Sequence, residues 1–513
     1  MKKLTKELLE TPEIPEVVER IQDKTVLPER VVQFGEGNFL RGFVDWMIHQ
    51  LNKRNLFNGR IVAIQPTPHG KVVPKLNVQD GLYTFVLQGI ENGIEVEKYE
   101  IISSISRGIN PYVNWAEVLK VAESAEIQYV FSNTTEAGIT YIKEPYDHQQ
   151  SPSSFPGKLT SFLFHRFIRF NGEAQSGLTI IPCELVENNG DLLKHFVLNH
   201  AEDWNLGEAF IAWVDQHNTF CNTLVDRIVP GFPKKNIHYF QDVLGYEDVL
   251  IGVGEPYHLF AIDADDTIKD SIPFHQAGLN VKWGDVSPYR QLKVSLLNAP
   301  HTSVFSIGYL SGLNTVFEVM EDAYVNQFVK KLMFDEILPV VDFDENEKSE
   351  FANAVMERFS NPFVEHQLND IGLNAISKFR TRVLPLLLRW VDNKQQVPEL
   401  MTFSFAALFV YFRPVRMIDE EHMAGMRNDE EYTIRDAKET ITALAAAWKR
   451  DDIDLVVLKI LENEEIWGAN LAKVNGLPEA VSNHLKSILH KGMQESLQQL
   501  LEISVSKGGV THS

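Results

Sequence analysis

A lysine, an asparagine and a histidine stand at 293, 298 and 301 in the stretch KVSLLNAPHTS, with the spacing K-x4-N-x2-H. If residues 291–309 form one α-helix, a turn of about 100° per residue places all three within an arc of roughly 140°. Their neighbours Leu292, Val294, Leu296, Leu297, Val304, Phe305 and Ile307 are apolar, so the helix is buried or lines a cleft. A lysine in such surroundings gives up its proton more readily, and Lys293 can then take a proton from an alcohol or return it to a carbonyl. Asn298 can donate an amide N–H to an oxygen on which charge develops, and His301 can orient a hydroxyl through its ring nitrogens. The same residues also fit a structural reading, with a lysine reaching out of a core helix, an asparagine satisfying backbone near Pro300 and a histidine bonded in the core. Pro300 removes one backbone donor and predicts a kink near Leu296.

Such a reaction needs a hydride partner, and the other end of the chain carries a pattern for one. The apolar run 30–34 (RVVQF) reads as a strand that stops at Gly35, and GEGNFLRGFVDWMIHQLNKR follows with Phe39, Phe43, Trp46, Met47 and Leu51 at helical spacing. Gly35 and Gly37 therefore lie at a strand-to-helix turn, where glycine lets the backbone approach a pyrophosphate. The third glycine of the usual dinucleotide fingerprint is replaced by Leu40, so the motif also fits a plain tight turn. A second strand, 60–64 (RIVAI), ends at Gln65-Pro66 and completes a βαβ unit. Gln65 takes the place where an acidic residue often binds the adenosine ribose. It can hydrogen-bond a ribose hydroxyl, and with no arginine beside it NAD is preferred to NADP.

Further strand-like runs at 82–87, 127–131 and 178–183 alternate with helix-compatible sequence, as in a mainly parallel α/β sheet. From about residue 288 the regular strand pattern is lost, and stretches such as 324–332, 375–390 and 401–412 read as helices. The expectation is an α/β chain in two parts: a Rossmann-like dinucleotide-binding domain with an N-terminal extension over 1–285, and a mostly α-helical substrate and catalytic domain over 286–513.

At 513 residues the chain exceeds what one core usually supports, and its 44% hydrophobic and 23% charged residues are those of an ordinary folded protein. The formal charge of −22 disfavours nucleic acid and anionic membrane as partners, so an anionic small molecule would need a local basic pocket. Cys183 and Cys221 are too few for a disulfide framework, and the N-terminal stretch is broken by acidic residues and prolines before an apolar core can form. A cytoplasmic protein without a spanning helix is expected. No HExxH or Cys/His spacing occurs, so no metal site is expected, and the acidic run 342–347 reads as a solvated helix start rather than a calcium loop. Oligomeric state is not readable.

GEGNFLRGF, QDGLYTF, TTEAGI, LVDRIVP and KVSLLNAPHTS together resemble the mannitol dehydrogenase family of polyol-specific long-chain dehydrogenases, along most of the chain. The resemblance implies a Rossmann-like domain, a helical C-terminal domain, an active site between them, and hydride transfer to NAD without zinc. It places the catalytic lysine on Lys293, with Asn298 and His301 completing the pattern. It places cofactor contacts on the Gly35 to Phe39 turn (Gly35, Gly37, Asn38 and Phe39), on Glu136 and on Asp226, to which the position of Gln65 after the second strand adds that residue. IVAIQPT, IPCELVENNG and SKFRTRVLPLLL are similar to members that interconvert tagaturonate and altronate, with fructuronate reduction or hexitol oxidation as alternatives. A nicotinamide-binding sensor without turnover is the reading from outside enzymology.

Two departures from the family pattern bear on the site. Mannitol dehydrogenases carry a second oxyanion asparagine where this chain has Leu185, for which Asn188 or Asn189 could substitute, and an acidic residue where it has Arg290. A uronate carboxylate calls for a well-placed cation. Lys378, Arg380 and Arg382 in SKFRTRVLP, and Arg413 and Arg416 in FRPVRM, are the candidates. Asn189, Lys378 and Arg380 are the substrate-binding expectation.

Overall fold

The run RVVQF becomes strand β1 (Glu29–Phe34), and RIVAI becomes β2 (Arg60–Ile64) beside it, parallel and in register from Val31 with Ile61 to Phe34 with Ile64. Strands β3 (Ile105–Ile109), β4 (Tyr129–Ser132), β5 (Thr179–Pro182) and β6 (Thr219–Phe220) complete a six-stranded parallel sheet of order β3-β2-β1-β4-β5-β6. That order reverses direction between β1 and β4, and in open parallel sheets ligands bind beyond the strand C-termini at such a switch point. Both central strands are buried along nearly their whole length, which is why they read as unbroken apolar runs.

These elements come from a computed structural model that describes residues 1–21 and 26–508. The chain divides into two compact units, Met1–Tyr289 and Arg290–Ser513.

In the first unit the helix expected after the glycines is broken in two. A short α1 (Asn38–Arg41) gives way at Gly42 and Phe43 to α2 (Val44–Lys53). A Cβ on Gly42 would lie 2.6 Å from the Phe85 ring, so the break lets the next hairpin pack closely. That hairpin, Tyr83–Glu91 with Ile94–Ile102, takes in all of the expected 82–87 run but Leu82. It is antiparallel and belongs to a separate four-stranded sheet, not to the parallel one. Asn92 and Gly93, both with positive φ, form its two-residue turn. Helices α3 (Phe155–Arg169) and α4 (Asn189–Asp203) share one apolar core with β1 and β4 through Phe162, Leu193 and Val197. Strand β7 (Thr223–Asp226) starts a small sheet with Leu259–Ile262.

The second unit is mostly helical. Helix α5 (Ser287–Lys293) leads into a π-helical turn, Val294–Asn298, and then α6 (Ala299–Leu310). Helix α7 (Glu345–Phe359) packs on the π-helical turn, α8 (Ala375–Arg382) and α10 (Glu399–Tyr411) pack on α6, and α9 (Leu384–Lys394) continues from α8 past Val383. The acidic run behaves as a helix start, with Asp344 accepting from Asn346 and Glu347 backbone N–H groups. A small antiparallel sheet, Arg416–Met417, His422–Arg427 and Glu430–Arg435, is an addition to the helical expectation. No helix among the described residues is long and apolar enough to cross a membrane.

Candidate active site

The glycine turn is built from below. Gln33, fully buried on β1, donates its amide to Gly35 O at 2.9 Å and to Asp45 Oδ2 at 3.3 Å. Gly35 has φ +126°, and a Cβ there would lie 2.8 Å from Asn133 O at the end of β4, so only glycine fits. Gly37 is different: it has φ −70°, and a Cβ would meet nothing within 4 Å. Buried Arg41 clamps the turn, donating to Glu36 O at 2.5 Å and to Asn38 Oδ1 at 2.7 Å. Burial pushes the Glu36 carboxyl up to about 7 and that of Asp45 to about 8. Phe39 stacks on Phe43 with ring centroids 4.9 Å apart. Gln33, Arg41 and Asp45 escaped the sequence reading, because a buried supporting residue carries no motif of its own.

The other cofactor candidates gather near this turn through backbone links. Gln65 follows β2 directly; its Nε2 donates to Thr67 O at 2.6 Å, while its buried Oε1 has no partner. Asp226 ends β7 and is buried, and the next residue, Arg227, donates to Gly42 O at 2.7 Å. A Cβ on Gly231 would collide with the Asn38 side chain, so the segment after β7 lies against the turn. Glu136 falls in the short 3-10 turn Glu136–Gly138 just after β4, its side chain lying outside the described residues. Glu184 anchors the start of that segment, accepting from Ser132 Oγ, Thr134 N and Thr134 Oγ1 at 2.9 to 3.0 Å.

Asn189 is spent on the fold. Its Nδ2 donates to Pro182 O, Glu184 O and Thr223 Oγ1, and its Oδ1 accepts from Thr223 N and Gly190 N, which leaves no group over for a substrate. Asn188 is exposed with φ +50°, and Leu185 is 62% exposed.

In the second unit the structure replaces the expected kink with a wider turn. Ala299 N–H donates to Val294 O, five residues back, and Pro300 follows at the start of α6. In a continuous α-helix the proline ring would press on the Leu296 carbonyl; opening the turn relieves this. The same device recurs at Leu332–Ile337, where Leu338 N–H reaches Met333 O and Pro339 comes next. Each residue of a π turn rotates by less than in an α-helix, so Asn298, five after Lys293, comes closer to the lysine's face than the straight-helix arc allows.

Lys293, Asn298 and His301 are each half-buried. His301 stacks on Phe359 at 4.1 Å between centroids and meets His366 edge-on at 4.8 Å. Burial, helped by His366, Arg358 and Arg382, holds the His301 ring well below the usual histidine range, so it is neutral at physiological pH. Thr302 Oγ1 donates to Asn298 O at 2.8 Å, tying the π turn to α6.

The basic candidates separate by helix face. Lys378 and Arg382, four residues apart on α8, are both half-buried. Lys378 Nζ donates to Ile371 O at 3.0 Å, and Arg382 Nη1 to Thr302 Oγ1 at 3.4 Å. Arg380 is exposed and turns the other way, to Ile466 O. Arg416 pairs with Glu431, and Arg413 lies over the Trp448 ring. Arg358, Phe359 and His366 were invisible in the sequence, since they reach His301 only through the packing of α7 and the segment after it. Among the described residues no three His, Cys, Asp or Glu side chains converge as for a metal ion.

Residues 29–275 match the mannitol dehydrogenase Rossmann domain, and residues 285–489 the mannitol dehydrogenase C-terminal domain. The altronate oxidoreductase of Halalkalibacterium halodurans is 49% identical over 480 residues, covering 93% of this chain and 94% of that protein. That of Bacillus subtilis is 42% identical over 478 residues, with 93% and 96% covered. Among solved structures, a D-sorbitol dehydrogenase superposes with TM-score 0.78 at 20% identity, covering 97% of this chain and all of that one. Pseudomonas fluorescens mannitol 2-dehydrogenase, in a ternary complex with NAD and D-mannitol, gives 0.65 at 21%, with 98% and 99% covered. At such identities these two speak for the fold alone. With both domains matched in order and relatives this similar along nearly the whole length, the chain belongs to the mannitol dehydrogenase family.

Proposed function

We propose that this chain is a cytoplasmic, NAD-dependent oxidoreductase that interconverts tagaturonate and altronate. The observation that carries the reading is the 49% identity to an altronate oxidoreductase across 93% of the chain. Two buried free cysteines, Cys183 and Cys221, fit a reducing compartment.

The first unit suits a dinucleotide. The open space at Gly37, the close approach at Gly35 and the switch point between β1 and β4 together leave backbone accessible to a pyrophosphate. We assign Gly35, Gly37, Asn38, Phe39, Gln65, Glu136 and Asp226 to hold it. Because Gln65 Nε2 is committed to Thr67 O, the group lacking a partner is the acceptor Oε1. A ribose hydroxyl can donate to it and a 2′-phosphate dianion cannot, which favours NAD over NADP. Gln65 is fully buried with Gly70 against it, so this contact requires residues 66–70 to move aside. When bound, NAD takes up or supplies the hydride.

Lys293 takes the hydroxyl proton as the alcohol carbon loses hydride, and returns it when the carbonyl is reduced. Asn298 donates its amide to the same oxygen as charge grows there. His301, held neutral, keeps one donor and one acceptor nitrogen with which to orient a neighbouring sugar hydroxyl. The proton step rests on the lysine, and no metal is assigned a part. Steady-state rates with NADH and NADPH against tagaturonate, fructuronate and fructose test the reading. Tagaturonate with NADH is expected to be fastest; a kcat/KM for fructose equal to that for tagaturonate overturns it.

A further inference from the structure

Helix α8 carries Lys378 and Arg382 on one face, where like charges four residues apart oppose each other. They are not equally provided for. The Lys378 ammonium donates to the carbonyls of Ile371 at 3.0 Å and Asp370 at 3.4 Å, with the Asp370 and Asp436 carboxylates nearby. Arg382 has one hydrogen bond, the 3.4 Å contact to the neutral hydroxyl of Thr302, and no carboxylate among the described residues pairs with it. A half-buried guanidinium is ordinarily matched by an anion, because its desolvation is otherwise uncompensated.

The position of this unmatched charge is specific. Thr302 follows His301 directly, and its hydroxyl bonds Asn298 O, so Arg382 is two hydrogen bonds from the backbone of Asn298. Arg358, next to the Phe359 that stacks on His301, adds a second buried cation, and His366 closes on the same ring. Arg358 and Arg382 both act on the His301 ring, while the Asp370 carboxylate acts on His366.

We propose that Arg382 receives the carboxylate of the sugar acid, donating two parallel N–H bonds to its two oxygens, and that this contact selects a uronate over a neutral ketose. The proposal rests on the functional reading above and names a residue for its specificity. Arg382→Gln and Arg382→Lys are to be compared with wild type for kcat and KM on tagaturonate, and for NADH affinity by fluorescence titration. Arg382→Gln should raise KM about 10- to 100-fold with kcat little changed. Arg382→Lys should fall between, and added guanidinium ion should recover activity in the glutamine variant alone. An unchanged KM, or a loss of kcat and NADH affinity together that the lysine variant does not restore, overturns the anchor. A wild type that does not turn over tagaturonate defeats the functional reading, and the anchor with it.

Discussion

Replacing Lys293 by alanine removes the group proposed to exchange the proton and leaves every residue of the glycine turn in place. Turnover at neutral pH should fall by roughly 10²- to 10⁴-fold, the usual worth of a positioned general acid or base, while the NADH dissociation constant stays within about twofold. Single-turnover absorbance at the nicotinamide band checks the first and fluorescence titration the second; near-normal turnover takes the lysine out of its role. At this scale the proposal for Lys293, Asn298 and His301 rests on residue type and spacing, which are legible in the sequence. The sequence was silent on the environment that fixes protonation. The neutral state of His301 depends on Phe359, His366, Arg358 and Arg382, which come from elements distant in sequence and reach the ring through tertiary packing. Asn189 illustrates the converse: an asparagine in a suggestive segment whose amide the fold had already engaged.

Among elements, the layer under the glycine turn should give the protein a pH-dependent stability. Asp45 is fully buried, and burial pushes its carboxyl from the ordinary 3.8 up to about 8 against the lowering pull of Gln33 and Arg41. A raised carboxyl pKa means that the folded state prefers the protonated acid. Its contribution is complete below about pH 4 and is lost as pH climbs toward 8. Asp45→Asn keeps the acceptor for Gln33 and removes the ionisation. In urea unfolding the variant should gain on wild type between pH 5.5 and 8.5, by on the order of 2 kcal/mol; a gap that does not change with pH would refute the argument. Strands β1 and β2 were legible because apolar runs there end at a glycine and a proline. The hairpin at Asn92–Gly93 had a signal, an Asn-Gly pair flanked by alternation, that could have been used. The π turn was not legible in the same way. Its apolar residues suit an α-helix equally well, and Pro300 announces only that the helix must yield, by a kink or by a wider turn.

For the molecule as a whole, the residues proposed to hold the cofactor lie in Met1–Tyr289 and those proposed to handle the proton lie in Arg290–Ser513. With Lys293 proposed as the proton donor, the reacting oxygen needs no Lewis acid. Exhaustive dialysis against a chelator should leave tagaturonate reduction within about twofold of the untreated rate, and a loss recovered by added zinc would contradict the mechanism. The change of pattern near residue 288 was visible because strand alternation has a period of 2 and gives way to helical spacing. The small sheet of Arg416–Met417, His422–Arg427 and Glu430–Arg435 went unseen because its strands are short and mixed in character.

The two glycines of the turn differ in a way that makes them separate instruments. A methyl group at 35 meets the Asn133 carbonyl and an unfavourable φ, so Gly35→Ala is felt by the protein itself and should lower its melting temperature. A methyl group at 37 projects from ordinary backbone into empty space, and the folded chain has no means of sensing it. Whatever Gly37→Ala perturbs is then not the protein but its guest. Melting within about 1 °C of wild type together with weakened NADH affinity would map the dinucleotide's path by exclusion, whereas unaltered affinity would show that the path runs elsewhere.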